Sequence, residues 1–537
     1  MTEFPKKNRE TAKSPVRQEK EEDLRAAALE VLLEVLEKKE FCHLALRRSL
    51  KAHAGYEKRQ RAFFTRLVEG TVERCLESDY IIDWYSSTPV RKMKPVIRTI
   101  LRMSVYQIIY MDGTPDAAVC NEAVRLTAKR GFAGLKGFVN GLLRRIVSEK
   151  DRLPYPPEDT PEGMSVRSST PLWIVQKWQA VYGISRTGQM LSALTGERPL
   201  IVHMNLSAEE EGTITASLRE QGVRTAAHPY SREALCLEHV DRLEELTAFR
   251  NGWIQVQDIS SQIASRLALQ ALRNVWQNEN GREIRGFREN GEENGASRKN
   301  QKTSGILHVL DVCAAPGGKS IYVAQGASRL GMPVQITARD LTEQKVEQIR
   351  ENCRRLRLPG IDTEVWDARR PDPDREQSAD LLIADLPCSG LGIMARKNDI
   401  KYRMTEDAQK ELAILQRQIL SVVWRYVKPG GYLLYSTCTI NTGENEENRD
   451  WLSQQFPLEP VEIAGWLEEL DGDMREKAGQ GLAEDMREKA GQGWAEDMRE
   501  GGLQALAGDI QGNSLQLLPG IHDSDGFFVS VFRRRDG

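Results

Sequence analysis

Cys388, in "DLPCSG", and Cys438, in "YLLYSTCTINTGENEEN", each follow directly on an apolar run that reads as a buried strand. Runs of the same kind end in aspartate: "ILHVLD" at Asp311, "VQITARD" at Asp340, "TEVWD" at Asp367 and "ADLLIAD" at Asp385. One carboxylate at a strand end commonly caps the following helix. Carboxylates closing four consecutive strands line one rim of a sheet, and that rim is where open α/β sheets bind ligands. A cysteine in isolation is usually a small buried hydrophobe. Two cysteines past neighbouring strand ends, on the same rim as the acids, suit nucleophilic chemistry on a bound substrate.

Between Asp311 and the helix that follows lies "VCAAPGGKS". Its end looks like a phosphate-binding P-loop, G-x-x-x-x-G-K-[ST]. With Lys319 at the lysine position, the first obligatory glycine falls on Cys313, and Pro316 removes a backbone N–H from the cradle. A neutral loop ringed by acids also disfavours a polyphosphate. It suits a nucleoside carrying a positive centre, and S-adenosyl-L-methionine fits. Asp340, about 20 residues past the loop, matches the two hydroxyls of a ribose; Asp367 falls near the adenine, and the loop under the sulfonium and methionine part. The expected cofactor contacts are therefore Cys313, Ala314, Ala315, Pro316, Gly317, Gly318, Lys319, Asp340, Asp367 and Asp385.

These residues need a parallel sheet to position them. From residue 305 onward, strand-like and helix-like segments alternate nearly to the end of the chain, which predicts an α/β Rossmann-like domain over 261–537. Within it, 278–304 is polar, Gly-rich and nearly free of aliphatics, and reads as a disordered insertion. A second insertion spans 467–512, where "DMREKAGQGLAE" at 473–484 recurs as "DMREKAGQGWAE" at 485–496. Two copies of a 12-residue unit are too few for a solenoid. Residues 173–260 read as a small α+β module, with "LIVHMNL" and "GWIQVQD" as strands and "TITASLREQG" as a helix. The Pro-rich stretch 151–172 reads as a linker. Residues 22–150 are helical throughout: Leu24, Ala28, Val31, Leu32 and Val35 fall on one face at spacings of three and four. Residues 1–21 read as a disordered tail.

At 537 residues, 40% hydrophobic and 28% charged, the chain has the composition of a soluble multidomain protein. No apolar run reaches membrane-spanning length. No signal-like h-region opens the chain, and none of the eight cysteines forms a C-x-x-C pair. A reducing cytoplasm and no metal are expected. The net charge of −3 hides an asymmetry: residues 51–150 carry 18 Lys/Arg against 10 Asp/Glu. That local excess of basic residues points to an anionic partner such as RNA.

"DVCAAPGGKS", "LIADLPCSGLGIMARKNDIKYR" and "LLYSTCTINTGENEENRDWL" resemble the motifs of the RNA cytosine-5 methyltransferases of the NOL1/NOP2/Sun class. "FVNGLLRRI" at 138–146, with the helices before it, resembles the NusB-like RNA-binding domain, and "LPGIHDSDGFFVSVFRR" resembles the class's C-terminal strand pair. The resemblance covers about residues 22–537 apart from the two insertions, and the whole is multidomain: an all-α NusB-like domain, an α+β module and a class I methyltransferase domain. It implies S-adenosylmethionine-dependent methylation of carbon 5 of one cytosine of 16S (small-subunit) ribosomal RNA by a monomer, off the membrane. Cys438, in the Thr-Cys pair, would be the nucleophile, and Cys388, after Pro387, would serve product release. Asp385 would bond the polar edge of the base, and Lys319 would orient the cofactor carboxylate or the active-site acid. Arg396, Lys397, Lys401 and Arg403 would bind the RNA backbone and Tyr402 would offer a stacking face. Two other readings stand beside it: a transfer-RNA cytosine-5 methyltransferase, and a non-catalytic NusB-like RNA-binding or antitermination factor.

Overall fold

The structure, a computed structural model, describes residues 15–195, 198–289, 305–467, 506, 510–511 and 513–536. It divides into two units: Met1–Thr195 with Met394–Arg403, and Gly196–Ile393 with Met404–Gly537.

The first unit is helical. Pro95–Tyr110 is its most buried helix, starting on a proline at the first helical position, where no N–H is needed. Ile97, Ile100, Leu101, Val105 and Ile108 on it are buried among Leu24, Ala28, Val31, Leu32 and Val35, the face expected from the spacing. The helix Lys58–Glu73 crosses it at Gly70, where a Cβ would lie 1.9 Å from the Tyr106 ring. The first helix begins at Pro15, inside the stretch expected as a disordered tail; Val-Arg-Gln-Glu-Lys-Glu-Glu after the proline is a run rich in good helix formers. The Pro-rich stretch is anchored as well. Tyr155 donates to Glu77 at 2.6 Å, and Thr160 caps a helix Pro161–Arg167. The long helix Leu172–Ala193 also groups with this unit.

The second unit opens with strands β1 (Leu200–Met204), β2 (Arg224–His228), β3 (Ser231–Glu238) and β4 (Ile254–Val256). They form an antiparallel sheet in the order β2-β3-β1-β4. With the helices Glu211–Glu220 and Thr247–Arg250 the module is β-α-β-β-α-β. A helix Ile259–Glu289 follows. It continues into the stretch expected to be disordered, and the remainder of that stretch, 290–304, lies outside the described residues.

The main sheet contains β5 (Leu307–Asp311), β6 (Val334–Asp340), β7 (Ile361–Val365), β8 (Ala379–Asp385) and β9 (Val427–Thr437), which pair in parallel. It continues with β10 (Leu458–Pro460), β11 (Ile510–Gln511), β12 (Ser514–Leu517) and β13 (Phe527–Arg534). The order is β11-β12-β13-β9-β8-β5-β6-β7, with β13 antiparallel to β9 and β10 pairing with β13. The chain winds from β5 out to β7, then returns to place β8 on the other side of β5. The carboxyl ends of β5 and β8 thus flank the switch point of an open sheet, where a ligand crevice forms. The repeat at 473–496 lies outside the described residues. Among the described residues no helix is long and apolar enough to cross a membrane.

Candidate active site

The loop after β5 is built to let backbone approach a ligand. Ala314 N–H donates to the carbonyl of Arg339 at 2.8 Å, and Ala315 N–H donates to Asp340 Oδ2 at 3.0 Å, so the loop is tied to the end of β6. Gly317 has φ +100°, open to glycine at little cost, and caps the helix Gly318–Arg329. A Cβ there would press on Ile321 and Ile349 at 3.2 Å. Asp340 is buried and also accepts from Leu341 N–H at 2.7 Å and pairs with Lys345 at 3.0 Å.

Asp311, Lys319 and Asp385 meet at the switch point. The Lys319 ammonium is buried, donates to Asp385 Oδ2 at 2.6 Å and to Ser261 Oγ at 3.2 Å, and lies 5.0 Å from the centre of the Phe527 ring. Ser436, facing Asp385 across the β8–β9 ladder, donates to Asp385 Oδ1 at 2.9 Å. Asp311 accepts from Ser320 Oγ at 2.6 Å on one oxygen, while its other oxygen is buried with no hydrogen-bond partner. Burial pushes the Asp311 carboxyl up to about 7.

The two cysteines come together. Cys388 lies three residues past the end of β8 and Cys438 one past the end of β9, and their sulfurs are 3.2 Å apart, each half-buried. The neighbouring Cys438 sulfur and burial hold the Cys388 thiol well above the ordinary cysteine range. Gly392 N–H donates to the Cys438 carbonyl at 3.1 Å, and Gly526 N–H to the Gly392 carbonyl at 2.9 Å. A Cβ on Gly392 would sit 1.8 Å from the Gly526 oxygen, so only glycine fits. Cys313, in the loop, is pushed far up by burial first and by Asp340 next, which leaves it an inert thiol.

Two expectations change. Asp367 is not a strand end, because β7 stops at Val365 and the Asp367 carboxylate turns to the following residues, accepting from Arg369 N, Nε and Nη2. Lys401, Tyr402 and Arg403 do not form a surface for RNA. Lys401 is buried and donates to the Ser168 carbonyl at 3.3 Å; Tyr402 Oη lies 2.8 Å from the Glu73 carbonyl; Arg403 donates to the Lys39 carbonyl at 2.7 Å. The segment Met394–Arg403 is part of the packing of the helical unit, while Arg396 and Lys397 stay exposed. Residues that sequence reasoning passed over also bear on the site: Ser261 on Lys319, Ser436 on Asp385, and Ser389 and Glu444 beside the cysteines. Among the described residues no group of three or more His, Cys, Asp or Glu side chains is arranged to hold a metal ion.

The chain matches the profile of the 16S rRNA methyltransferase RsmB/F family over residues 299–533, the NusB family over 22–148, and the ferredoxin-like domain of RsmF/B-like methyltransferases over 170–242. It is 30% identical over 439 residues to the "Probable ribosomal RNA small subunit methyltransferase B" of Bacillus subtilis (strain 168), spanning 82% of this chain and 90% of that one. It is 27% identical to the ribosomal RNA small subunit methyltransferase B of Cronobacter sakazakii, spanning 74% and 82%. The crystal structure of PH0851 shares the fold, with a TM-score of 0.67 at 20% identity over 95% of this chain and 98% of that one.

Proposed function

The chain belongs to the RsmB/F family of 16S rRNA methyltransferases, and we propose that it transfers a methyl group from S-adenosylmethionine to carbon 5 of one cytosine of small-subunit ribosomal RNA, through a covalent bond between the base and Cys438. The observation that carries this reading is the pair of sulfurs 3.2 Å apart beside the Lys319–Asp385 ion pair.

The residues at the switch point fit the cofactor. The orphaned oxygen of buried Asp311 suits an ammonium donor, and Asp340 retains acceptor capacity for ribose hydroxyls beyond its two backbone bonds. Three acids against two lysines, Lys319 on Asp385 and Lys345 on Asp340, favour a cationic ligand. When bound, S-adenosylmethionine supplies an electrophilic methyl group. The chain's own task is to make carbon 5 of cytosine able to take it. A thiolate at Cys438 adds to carbon 6 and turns the ring into an enamine. As the thiolate adds, the ring nitrogen takes up a proton from solvent, and Asp385, held by Lys319 and Ser436, accepts a hydrogen bond from the protonated nitrogen. After methyl transfer, carbon 5 gives its proton to water, the C–H electron pair re-forms the double bond between carbons 5 and 6 as the carbon–sulfur bond breaks, and Cys388, kept as a thiol at neutral pH, donates a hydrogen bond to the departing Cys438 thiolate. The target base must leave its stack to reach these groups, at a cost of a few kcal/mol.

Ribosomal RNA as substrate assigns the work to the cytoplasm. Denaturing gels of the enzyme with unmethylated small-subunit ribosomal RNA test the assignment. Cys438→Ala is expected to be inactive and free of adduct, and Cys388→Ala to accumulate a protein–RNA adduct. The reverse pattern exchanges the roles, and activity retained in both variants removes the cysteines from the mechanism.

A further inference from the structure

Glu444 is fully buried six residues past Cys438, and no step above uses it. Its carboxylate collects donors from the chain on either side of both cysteines. Ser389, the residue after Cys388, donates its N–H to Oε2 at 2.8 Å and its hydroxyl to Oε1 at 2.5 Å. Since that hydroxyl proton is committed to the carboxylate, the contact of 2.6 Å between Ser389 Oγ and Thr439 Oγ1 is donated by Thr439, the residue after Cys438. Asn441 donates to Oε1 at 2.7 Å, and Gln416 donates to Oε2 at 3.1 Å. The same Gln416 amide donates to the carbonyl of Pro387, the residue before Cys388, at 2.9 Å.

Both loops are therefore gripped next to their sulfurs by one carboxylate. A buried carboxylate with four donors is held firmly, because losing any partner leaves a buried polar group unmatched. Nothing in this arrangement touches the cofactor loop: Asp340, Lys319 and Asp385 have their own partners. We propose that Glu444 is a positioning residue that sets the separation of the Cys388 and Cys438 sulfurs, and that it thereby governs the hand-over from adduct formation to adduct release. The inference rests on the two-cysteine reading given above.

The distinguishing measurement is a partition. In single-turnover reactions with unmethylated transcripts of small-subunit ribosomal RNA, the denaturing gel separates RNA held as adduct from RNA released as methylated product. Wild-type enzyme should hold little. Glu444→Ala should form adduct at least tenfold more slowly, and should hold a larger share of what it forms, because Cys388 no longer sits against the bonded sulfur. Its S-adenosylmethionine affinity by calorimetry should remain within threefold of wild type. Ser389→Ala, which keeps the backbone N–H bond and loses the hydroxyl's bonds to Glu444 and Thr439, should shift the partition in the same direction by less, and Glu444→Gln should recover part of the loss. A structural role alone would slow formation and lower cofactor affinity together and leave the partition unchanged; that outcome, or a wild-type partition in Glu444→Ala, overturns the proposal. Should Glu444→Ala not fold, the partition in Ser389→Ala and Glu444→Gln decides by the same criterion. Cys438→Ala and Cys388→Ala run on the same gel separate the two failures. If they behave as expected while the Glu444 and Ser389 variants match wild type, Glu444 has no such role. If they keep activity and form no adduct, the cysteine reading falls and this proposal with it.

Discussion

Asp311 carries a carboxyl that burial raises from 3.8 to about 7, so between those values the folded chain holds a proton that the unfolded chain has lost. Its contribution to stability is therefore undiminished at the acid end and declines as pH rises through about 7. Asp311→Asn, which imitates the neutral form, should flatten this dependence and unfold at higher denaturant than wild type above neutrality; urea titrations at several pH values read it. A cationic ligand beside the carboxylate should draw the proton off, so calorimetry in buffers of different ionisation heat should register proton release when S-adenosylmethionine binds. Asp340 gives a second prediction. Replacing it with Asn removes the charge that holds Ala315 N–H, Leu341 N–H and Lys345, and should weaken cofactor binding by about 1.5–3 kcal/mol. Unchanged affinity in a folded variant would remove Asp340 from the cofactor site. At this scale the sequence was legible wherever a functional side chain closes an apolar strand, as Asp311, Asp340 and Asp385 do. It placed Asp367 at a strand end that β7 stops short of, because the pull of Arg369 on a carboxylate just past a short strand leaves no trace in periodicity. Ser261 and Glu444 were illegible because each reaches its partner from another element, and a serine in a helix or a glutamate in a polar loop has no pattern of its own.

Among the elements, the parallel strands and the helix Gly318–Arg329 follow from runs of apolar residues ended by glycine or acid, a local signal. The short helix Ile400–Arg403 does not. "NDIKYR" has the composition of an exposed basic turn, yet Lys401 and Asp399 are buried. Burial lowers the Lys401 ammonium from 10.5 to about 7, and the nearby Glu73 carboxylate only partly offsets this. Between those values the unfolded chain holds a proton that the folded chain lacks, so stability from this group rises with pH across the window. Lys401→Met keeps the stem packed and removes the charge. It should raise the melting temperature of the helical unit near neutral pH, with the gain shrinking as pH approaches about 10. A gain that stays constant across that range would show that packing, and not ionisation, sets the cost of this lysine.

At the scale of the whole molecule, composition and punctuation separated a basic helical region from the α/β region, but they could not show that the first unit includes Met394–Arg403, which lies between β8 and β9. Only tertiary packing reveals that Met394–Arg403 completes a helical unit, because its contacts, Asn398 to the Glu69 carbonyl at 2.7 Å and Tyr402 to the Glu73 carbonyl at 2.8 Å, are each 329 residues apart in sequence. Neither unit is one continuous stretch, so removing the N-terminal helices does more than remove a NusB-like surface. A chain lacking residues 22–150 would take Glu73 and its helix from Lys401 and Tyr402, leaving them their bonds to Ser168 and Ser169. Gly392, two residues before that segment, bonds the Cys438 carbonyl at 3.1 Å, so loosening should extend to the cysteine loop. Limited proteolysis should cut the shortened chain within 394–403 under conditions that leave the full chain intact there. Its rate of adduct formation should fall even on a short RNA that carries the target cytosine and needs no further contacts. Two results would contradict this: a shortened chain as resistant to protease as the full one, or one that forms adduct at the full rate on the short RNA. In either case the helical unit would serve RNA affinity alone, and its loss should then appear only as weaker binding of long RNA, with a salt dependence flattened by the missing phosphate contacts.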